Sequence, residues 1–209
     1  MISVGEARQY YVEADSAHGF DHVLRVLRLA ERIGRAEGVD LEVLRAAALL
    51  HDVGRPEELR TGECHAQVSA RLARSILALA GAERVDRVAQ AIAEHRFRGA
   101  ERPSSAEGRV LFDADKLDAI GVARAYAVAG AQEQHLWADV AEGYRQRPPE
   151  DAQGDLASGQ HTPVHEYLFK LVTLRGLLYT DEGRRIAAHR HQFMVAFFSE
   201  LAEEVRGER

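Results

Sequence analysis

The chain has 209 residues, 46% hydrophobic and 29% charged, a mixture that supports one globular domain with a sizeable core and holds no run approaching the roughly 20 apolar residues that span a bilayer. Its 33 acidic and 27 basic residues leave a formal net charge of −6, which supplies no global field for nucleic acid or an anionic membrane, although a bound metal and a few arginines could still hold a nucleotide locally. Cys64 is the only cysteine, which excludes an internal disulfide framework and a cysteine-rich zinc site and leaves a free thiol with a packing role.

The opening stretch MISVGEARQYYVEADSA lacks the basic start and apolar run of a secretory signal, which favours the cytoplasm. The first strong periodicity is HVLRVLRLAERIGRAE, where Val23, Val26, Leu27, Ala30 and Ile33 recur at helical spacing. LEVLRAAALLHDVG follows, with Leu41, Leu44 and Ala48 facing the core; its nearly continuous apolar middle predicts a buried helix ending near Gly54 and Pro56. HAQVSARLARSILALAG and ERVDRVAQAIAEHR are two further helices, the second closed by the turn-prone RGAERPSS. RVLFDADKLDAIGVARAYAVAG carries the next helix or a closely joined pair. A polar, proline-bearing loop over 146–160 precedes a helical extension over 161–205, made of VHEYLFKLVTLRGLL and DEGRRIAAHRHQFMVAFFSELAEEV. Phe193, Phe197 and Leu201 recur every four residues, which fits core packing or, with Phe198, a homodimer surface. The fold class is therefore all-α, one domain over 1–209 with its chemical core in 10–130.

Four short segments look chemical. His18 and His22 are four residues apart and Arg25 three further on, so one helical face can present all three. That spacing also suits solvent-facing or hydrogen-bonded core histidines. His51 and Asp52 follow the apolar run AAALL at a helix end, where a buried carboxylate is costly unless a cation or donors compensate it. In FDADKLDAIG, Asp115 and Asp118 share a helical face while Asp113 points elsewhere. By itself this motif is as well read as a surface cap. Two imidazoles and two carboxylates together make a mixed nitrogen and oxygen site suited to a divalent transition metal or magnesium.

With His22 in HGFDHVLRV, His51 and Asp52 in LLHDVG, and Asp115 in DADKLDA, the sequence resembles the HD-domain phosphohydrolases, from about Tyr10 to Gly130. The resemblance implies an HD-type helical bundle with additional C-terminal helices, in which His22, His51, Asp52 and Asp115 bind one divalent ion: Mn²⁺, Mg²⁺, Co²⁺, Ni²⁺ or Fe²⁺. His65 and His95 resemble extra histidines around such sites that accommodate a second metal or a phosphate; a single ion is the expectation here. Asp118, His65 and Lys116 are the candidate catalytic residues, Asp118 as an acid that orients a ligand or handles the water's proton, Lys116 as a neutraliser of phosphate charge. His18, Arg25 and His95 are the candidate substrate contacts, with structural roles open for each.

The implied activity is hydrolysis of a nucleotide phosphate ester or phosphoanhydride by metal-activated water. The alternatives are hydrolysis of another small phosphorylated metabolite and a catalytically silent nucleotide-binding module. No GKS or GKT phosphate cradle and no glycine-rich dinucleotide fingerprint is present. The expected partner is a small phosphorylated molecule, with no membrane and no stable nucleic-acid partner.

Overall fold

The computed structural model describes residues 1–11, 19–96, 102–120 and 163–205, and among them every regular element is helical. Two compact units form, Met1–Asp118 with Leu178–Arg184, and Ala119–Leu177 with Arg185–Arg209.

The first unit begins with α1 (Val4–Arg8), closed by a capping box in which the Glu6 amide donates to Ser3 Oγ (3.2 Å) and the Ser3 amide to Glu6 Oε2 (2.8 Å). Helix α2 (Phe20–Glu37) buries His22, Val23, Val26, Leu27, Ala30 and Ile33 on one stripe and stops at Gly38, whose φ of 70° is the left-handed C-cap conformation. Helix α3 (Leu41–Leu50) is capped by Asp40, whose Oδ1 accepts from the Glu42 and Val43 amides at 3.0 and 3.2 Å. Almost all of α3 is buried because it packs against both α2 and α6 (Ala82–Glu94). Burying side chains such as Ile33, Leu44, Leu49 and Leu50 stabilises the core by about 1.5–3 kcal/mol each.

Between these lie α4 (Arg55–Thr61) and α5 (His65–Ile76), the latter packed on α6. Helix α3 ends at Leu50, with His51 as its C-cap, and the segment expected to terminate at Pro56 instead starts a new helix there. Proline in the first turn needs no amide partner, Glu57 and Glu58 favour the positive helix start, and Gly62 (φ 77°) ends it. Neither α1 nor α4 has a long apolar stripe, so periodicity does not reveal them.

Helix α7 (Ala106–Ala119) carries the DADKLDA motif. Its start is tied by Glu107, which accepts from Arg87 of α6 at 2.6 Å while Arg87 also donates to Asp40 at 3.0 Å. Farther along, buried Asp113 accepts from the Tyr179 and Thr180 amides (3.0 and 2.8 Å) and from Thr180 Oγ1 (2.5 Å).

In the second unit, residues 163–177 are helical but not uniformly α. Helix α8 (Pro163–Glu166) widens into a π-type turn (Tyr167–Leu171), then α9 (Val172–Leu174) tightens into a 3-10 turn (Arg175–Leu177). The last helix, α10 (Asp181–Val205), gives its first turn to the first unit and its remainder to the second. Phe198 is buried, stacks on Tyr167 at 4.2 Å and meets the Phe197 ring edge-on at 5.2 Å, whereas Phe193 and Phe197 remain exposed; of the aromatic set expected on a dimer face, Phe197 and Phe198 have intrachain ring partners. The proposed loop over 146–160 lies outside the described residues. No helix among the described residues is long and apolar enough to cross a membrane.

Candidate metal centre

Six side chains from five segments meet inside the first unit. His22 comes from α2, His51 and Asp52 from the end of α3, His65 from the start of α5, His95 from the end of α6, and Asp115 from α7. His22, His51, Asp52, His65 and His95 are all buried, and Asp115 is largely enclosed.

The potential donor atoms fall into two groups that share Asp52. In one, His22 Nε2 lies 3.3 Å from His51 Nε2, 3.8 Å from Asp52 Oδ2 and 3.4 Å from Asp115 Oδ1, with His51 Nε2 3.7 Å from Asp52 Oδ2. In the other, His65 Nε2 lies 3.3 Å from His95 Nε2, and the two are 3.5 and 3.8 Å from Asp52 Oδ1. Each of the sets His22, His51, Asp52 and Asp52, His65, His95 keeps its ligand-capable atoms within 4.8 Å of one another. An ion with donors at about 2.1 Å sets neighbouring donors roughly 3.0–3.4 Å apart, so small inward shifts bring either set to coordination distance.

The histidine tautomers follow from their other nitrogens. His51 Nδ1 donates to the Ala48 carbonyl (2.8 Å) and His95 Nδ1 to the Ile92 carbonyl (2.6 Å), each one turn back on the helix the histidine caps. His22 Nδ1 faces Asp118 Oδ2 at 2.7 Å and His65 Nδ1 faces Glu58 Oε2 at 2.8 Å. A carbonyl or carboxylate oxygen only accepts, so all four Nδ1 atoms carry protons and the neutral rings point Nε2 lone pairs at one another. Only a cation, a proton or a metal ion, satisfies that arrangement. The donor chemistry therefore fits divalent metal in both groups.

Protonation is largely set for ligation. Burial pushes His51 down to about 4, and burial with the neighbouring Arg55 charge pushes His65 down to about 3. Burial opposes ionisation of Asp52 and Asp115, but Arg55 and His51 around the first, and Lys116 and His22 around the second, hold both well below the ordinary carboxylate range. His22 goes the other way: burial disfavours its charge, yet Asp115 and Asp118 outweigh it and raise its pKa.

Unfolded His51 and His65 take up protons near 6.5, the folded ones only near 4 and 3. Their stabilising contribution is present above 6.5 and is lost as pH falls toward those folded values, at about 1.4 kcal/mol per pH unit for each histidine while it titrates. His22, with its raised pKa, runs the other way: its stabilisation grows as pH falls toward 6.5 and is complete below it. The melting temperature of chelator-treated protein should therefore fall steadily from pH 6.5 to pH 4; a flat profile by differential scanning calorimetry would contradict neutral, buried imidazoles.

Lys116 pairs with Asp115 and sits over the Phe112 ring at 5.3 Å. Arg25 donates from Nε to Asp118 Oδ1 (2.7 Å) and from Nη2 to Asp118 Oδ2 (3.0 Å), the acidic partner being one of the two roles open for it. His18 lies outside the described residues, as does Arg124, a potential partner of Asp118. Arg55 and Glu58 escaped the sequence reading: Arg55 Nε donates to Asp52 Oδ1 (3.1 Å) and its Nη1 to Glu58 Oε2 (3.3 Å), while Arg96 Nη2 is 3.4 Å from Glu58 Oε1. The one signal available was position, Arg55 lying one turn beyond Asp52. Gly54 makes the whole turn possible: its amide donates to Ser69 Oγ (2.9 Å), and a Cβ there would lie 2.7 Å from the Ser69 amide nitrogen and 2.8 Å from the His65 carbonyl oxygen.

Residues 19–120 match the model of the HD domain. The uncharacterised protein YpgQ of Bacillus subtilis is 33% identical over 205 residues, covering 93% of this chain and 88% of that protein. The crystal structure of YpgQ in complex with ADP superposes with a TM-score of 0.70 at 30% identity, covering 98% of this chain and 99% of the other. A Lactobacillus plantarum structure gives 0.75 at 29% identity, with 99% and 100% covered. A predicted HD superfamily hydrolase from an uncultured Thermotogales bacterium gives 0.63 at 28%, with 96% and 90% covered.

Proposed function

The chain belongs to the HD-domain superfamily and is a catalytic HD-domain enzyme, and from that premise we propose that it hydrolyses a nucleotide phosphate ester or phosphoanhydride, with two divalent cations bound side by side. His22, His51, Asp52 and Asp115 hold the first, and Asp52, His65 and His95 the second. The observation that carries this reading is the division of Asp52: Oδ2 faces the Nε2 atoms of His22 and His51, and Oδ1 those of His65 and His95. This extends the single-ion expectation, and it moves His65 and His95 from catalytic and substrate-contact roles to ligation. Two imidazoles beside one shared carboxylate favour Mn²⁺, Fe²⁺, Co²⁺ or Ni²⁺ over Mg²⁺ in the second pocket.

Divalent ions bound there would supply Lewis acidity and lower the pKa of water for hydrolysis at phosphorus. The protein's own cations complete the setting. Arg55 and Lys116 lie beside Asp52 and Asp115, where they offset charge gathering on phosphate oxygens in a poorly solvated site. Asp118 is saturated by Arg25 and His22, which suits it to orient a ligand rather than to accept a proton. Support for a nucleotide comes from YpgQ, a relative crystallised with ADP. The working place that goes with such a substrate is the cytoplasm.

The test is a turnover screen with Mn²⁺, Mg²⁺, Co²⁺ and Ni²⁺ against nucleoside mono-, di- and triphosphates, resolving orthophosphate from pyrophosphate. Asp115→Ala should lower turnover by more than ~100-fold, since loss of residues that merely orient ligands already costs about 10–100-fold. Helical content by circular dichroism should remain. Turnover of sugar phosphates alone would replace the substrate class, and full activity in Asp115→Ala would remove the ligand assignment.

A further inference from the structure

Each half of the centre contains one histidine fixed by backbone and one fixed by a carboxylate. His51 and His95 are held by the carbonyls of Ala48 and Ile92, contacts that no side-chain change removes. His22 and His65 depend instead on Asp118 and Glu58. Both carboxylates are themselves braced by arginine. Asp118 receives two hydrogen bonds from Arg25; Glu58 receives Arg55 on the oxygen that faces His65, with Arg96 near its other oxygen.

We propose that Asp118 and Glu58 are the two positioning residues of the centre, each holding one histidine by Nδ1 so that its Nε2 addresses one pocket, and each setting the metal affinity of that pocket alone. The proposal rests on the two-ion reading above. Its physical basis is that a carboxylate behind a ligating imidazole fixes the tautomer and ring orientation and raises the basicity of the opposite nitrogen. Arginine, bidentate from Arg25 at Asp118 and shared between Arg55 and Arg96 at Glu58, keeps each carboxylate ionised and hinders its rotation. The arrangement separates the pockets. Asp118 touches nothing in the Asp52, His65, His95 group through its described contacts, and Glu58 touches nothing in the His22, His51, Asp115 group through its own. Asp52 is the shared element, and the one brace that reaches it, Arg55, does so on Oδ1, the oxygen that faces the second pocket.

The experiment is Mn²⁺ titration by calorimetry on the chelator-stripped full chain, with manganese electron paramagnetic resonance to distinguish isolated from neighbouring ions. Wild type should take two Mn²⁺ per chain. Asp118→Asn and Glu58→Gln keep side-chain volume, and melting curves check that each variant is folded. Each should weaken one of the two ions by about 10–100-fold and leave the other at its wild-type affinity. His95→Ala, which dismantles the second pocket, assigns them: in that background Asp118→Asn should weaken the remaining ion, and Glu58→Gln should not.

One Mn²⁺ in wild type overturns the two-ion reading, and this inference with it. Two Mn²⁺ in wild type, with Asp118→Asn and Glu58→Gln both leaving affinity unchanged or both weakening the two ions equally, overturns the positioning roles and leaves the two-ion reading standing. A merely structural contribution would lower melting temperature without dividing the affinities.

Discussion

Asp52→Asn should empty both pockets at once, and it should do so in a protein that still folds as a helical domain. Aspartate at this position presents two oxygens, one to each pair of imidazoles. Asparagine keeps the shape but offers one oxygen and one amide group, which is a donor and not a ligand. Whichever way the amide turns, one pocket loses its carboxylate outright and the other exchanges an anion for a weaker neutral oxygen. The expected result is less than one Mn²⁺ per chain by elemental analysis and turnover below that of Asp115→Ala. Asp115 touches His22 but none of the second group, so its variant should retain the Asp52, His65, His95 ion. Asp52→Asn with two ions bound would reject the shared-carboxylate arrangement.

Gly54→Ala should lower stability and disturb the second pocket together, although Gly54 is not itself a ligand. The backbone at Gly54 has ordinary helical angles (φ −86°), so the difficulty is steric. A methyl group there meets the Ser69 amide, the His65 carbonyl and Val68 Cβ, all within 2.8 Å, and two of those are backbone atoms that cannot rotate aside. Overpacking of this kind costs about 1–3 kcal/mol, or roughly 3–10 °C in melting temperature for a chain of this size. Relief requires α5 to move away from the turn that carries Asp52. His65 moves with it, so the second pocket should lose Mn²⁺ affinity along with the drop in melting temperature. An alanine variant with unchanged melting and two ions of normal affinity would show that α5 is not held by this contact.

The parts of the molecule that were legible in the sequence are those where one residue type repeats at a structural period or where chemistry forces neighbours together. Val23, Val26, Leu27, Ala30 and Ile33 mark α2 because its buried stripe needs apolar side chains at that spacing. His51 and Asp52 stand out because polar groups at the end of the AAALL run must find compensation. Helix α4 was hidden for the opposite reason. It buries no residue, and its existence depends on Gly54, Pro56 and Gly62 acting on backbone and not on any stripe. Arg55 and Glu58 were hidden with it, since surface-type residues on a short helix resemble any solvated turn until Asp52 and His65 are seen against them. Asp118 was visible as an acid, but its partners His22 and Arg25 lie 96 and 93 residues away, a pairing that helical periodicity does not encode. The backbone anchors of His51 and His95 show a subtler limit: both follow from a histidine at a helix C-terminus, where carbonyls lack helical partners, yet the sequence alone does not say which way the ring turns.

The long-range grip on α7 has a consequence in folding order. The second group of ligands is closed by residues 52–95, through elements adjacent in the chain. The first needs His22 and Asp118 to meet across 96 residues, and α7, which brings Asp115 and Asp118, is itself tied through Asp113 to Thr180 across a further 67. Closing longer loops costs more entropy before any contact repays it, and such contacts form late. On this ground the two halves of the centre should mature in sequence, the His65 and His95 half as a local product of helix packing and the His22 and Asp115 half later.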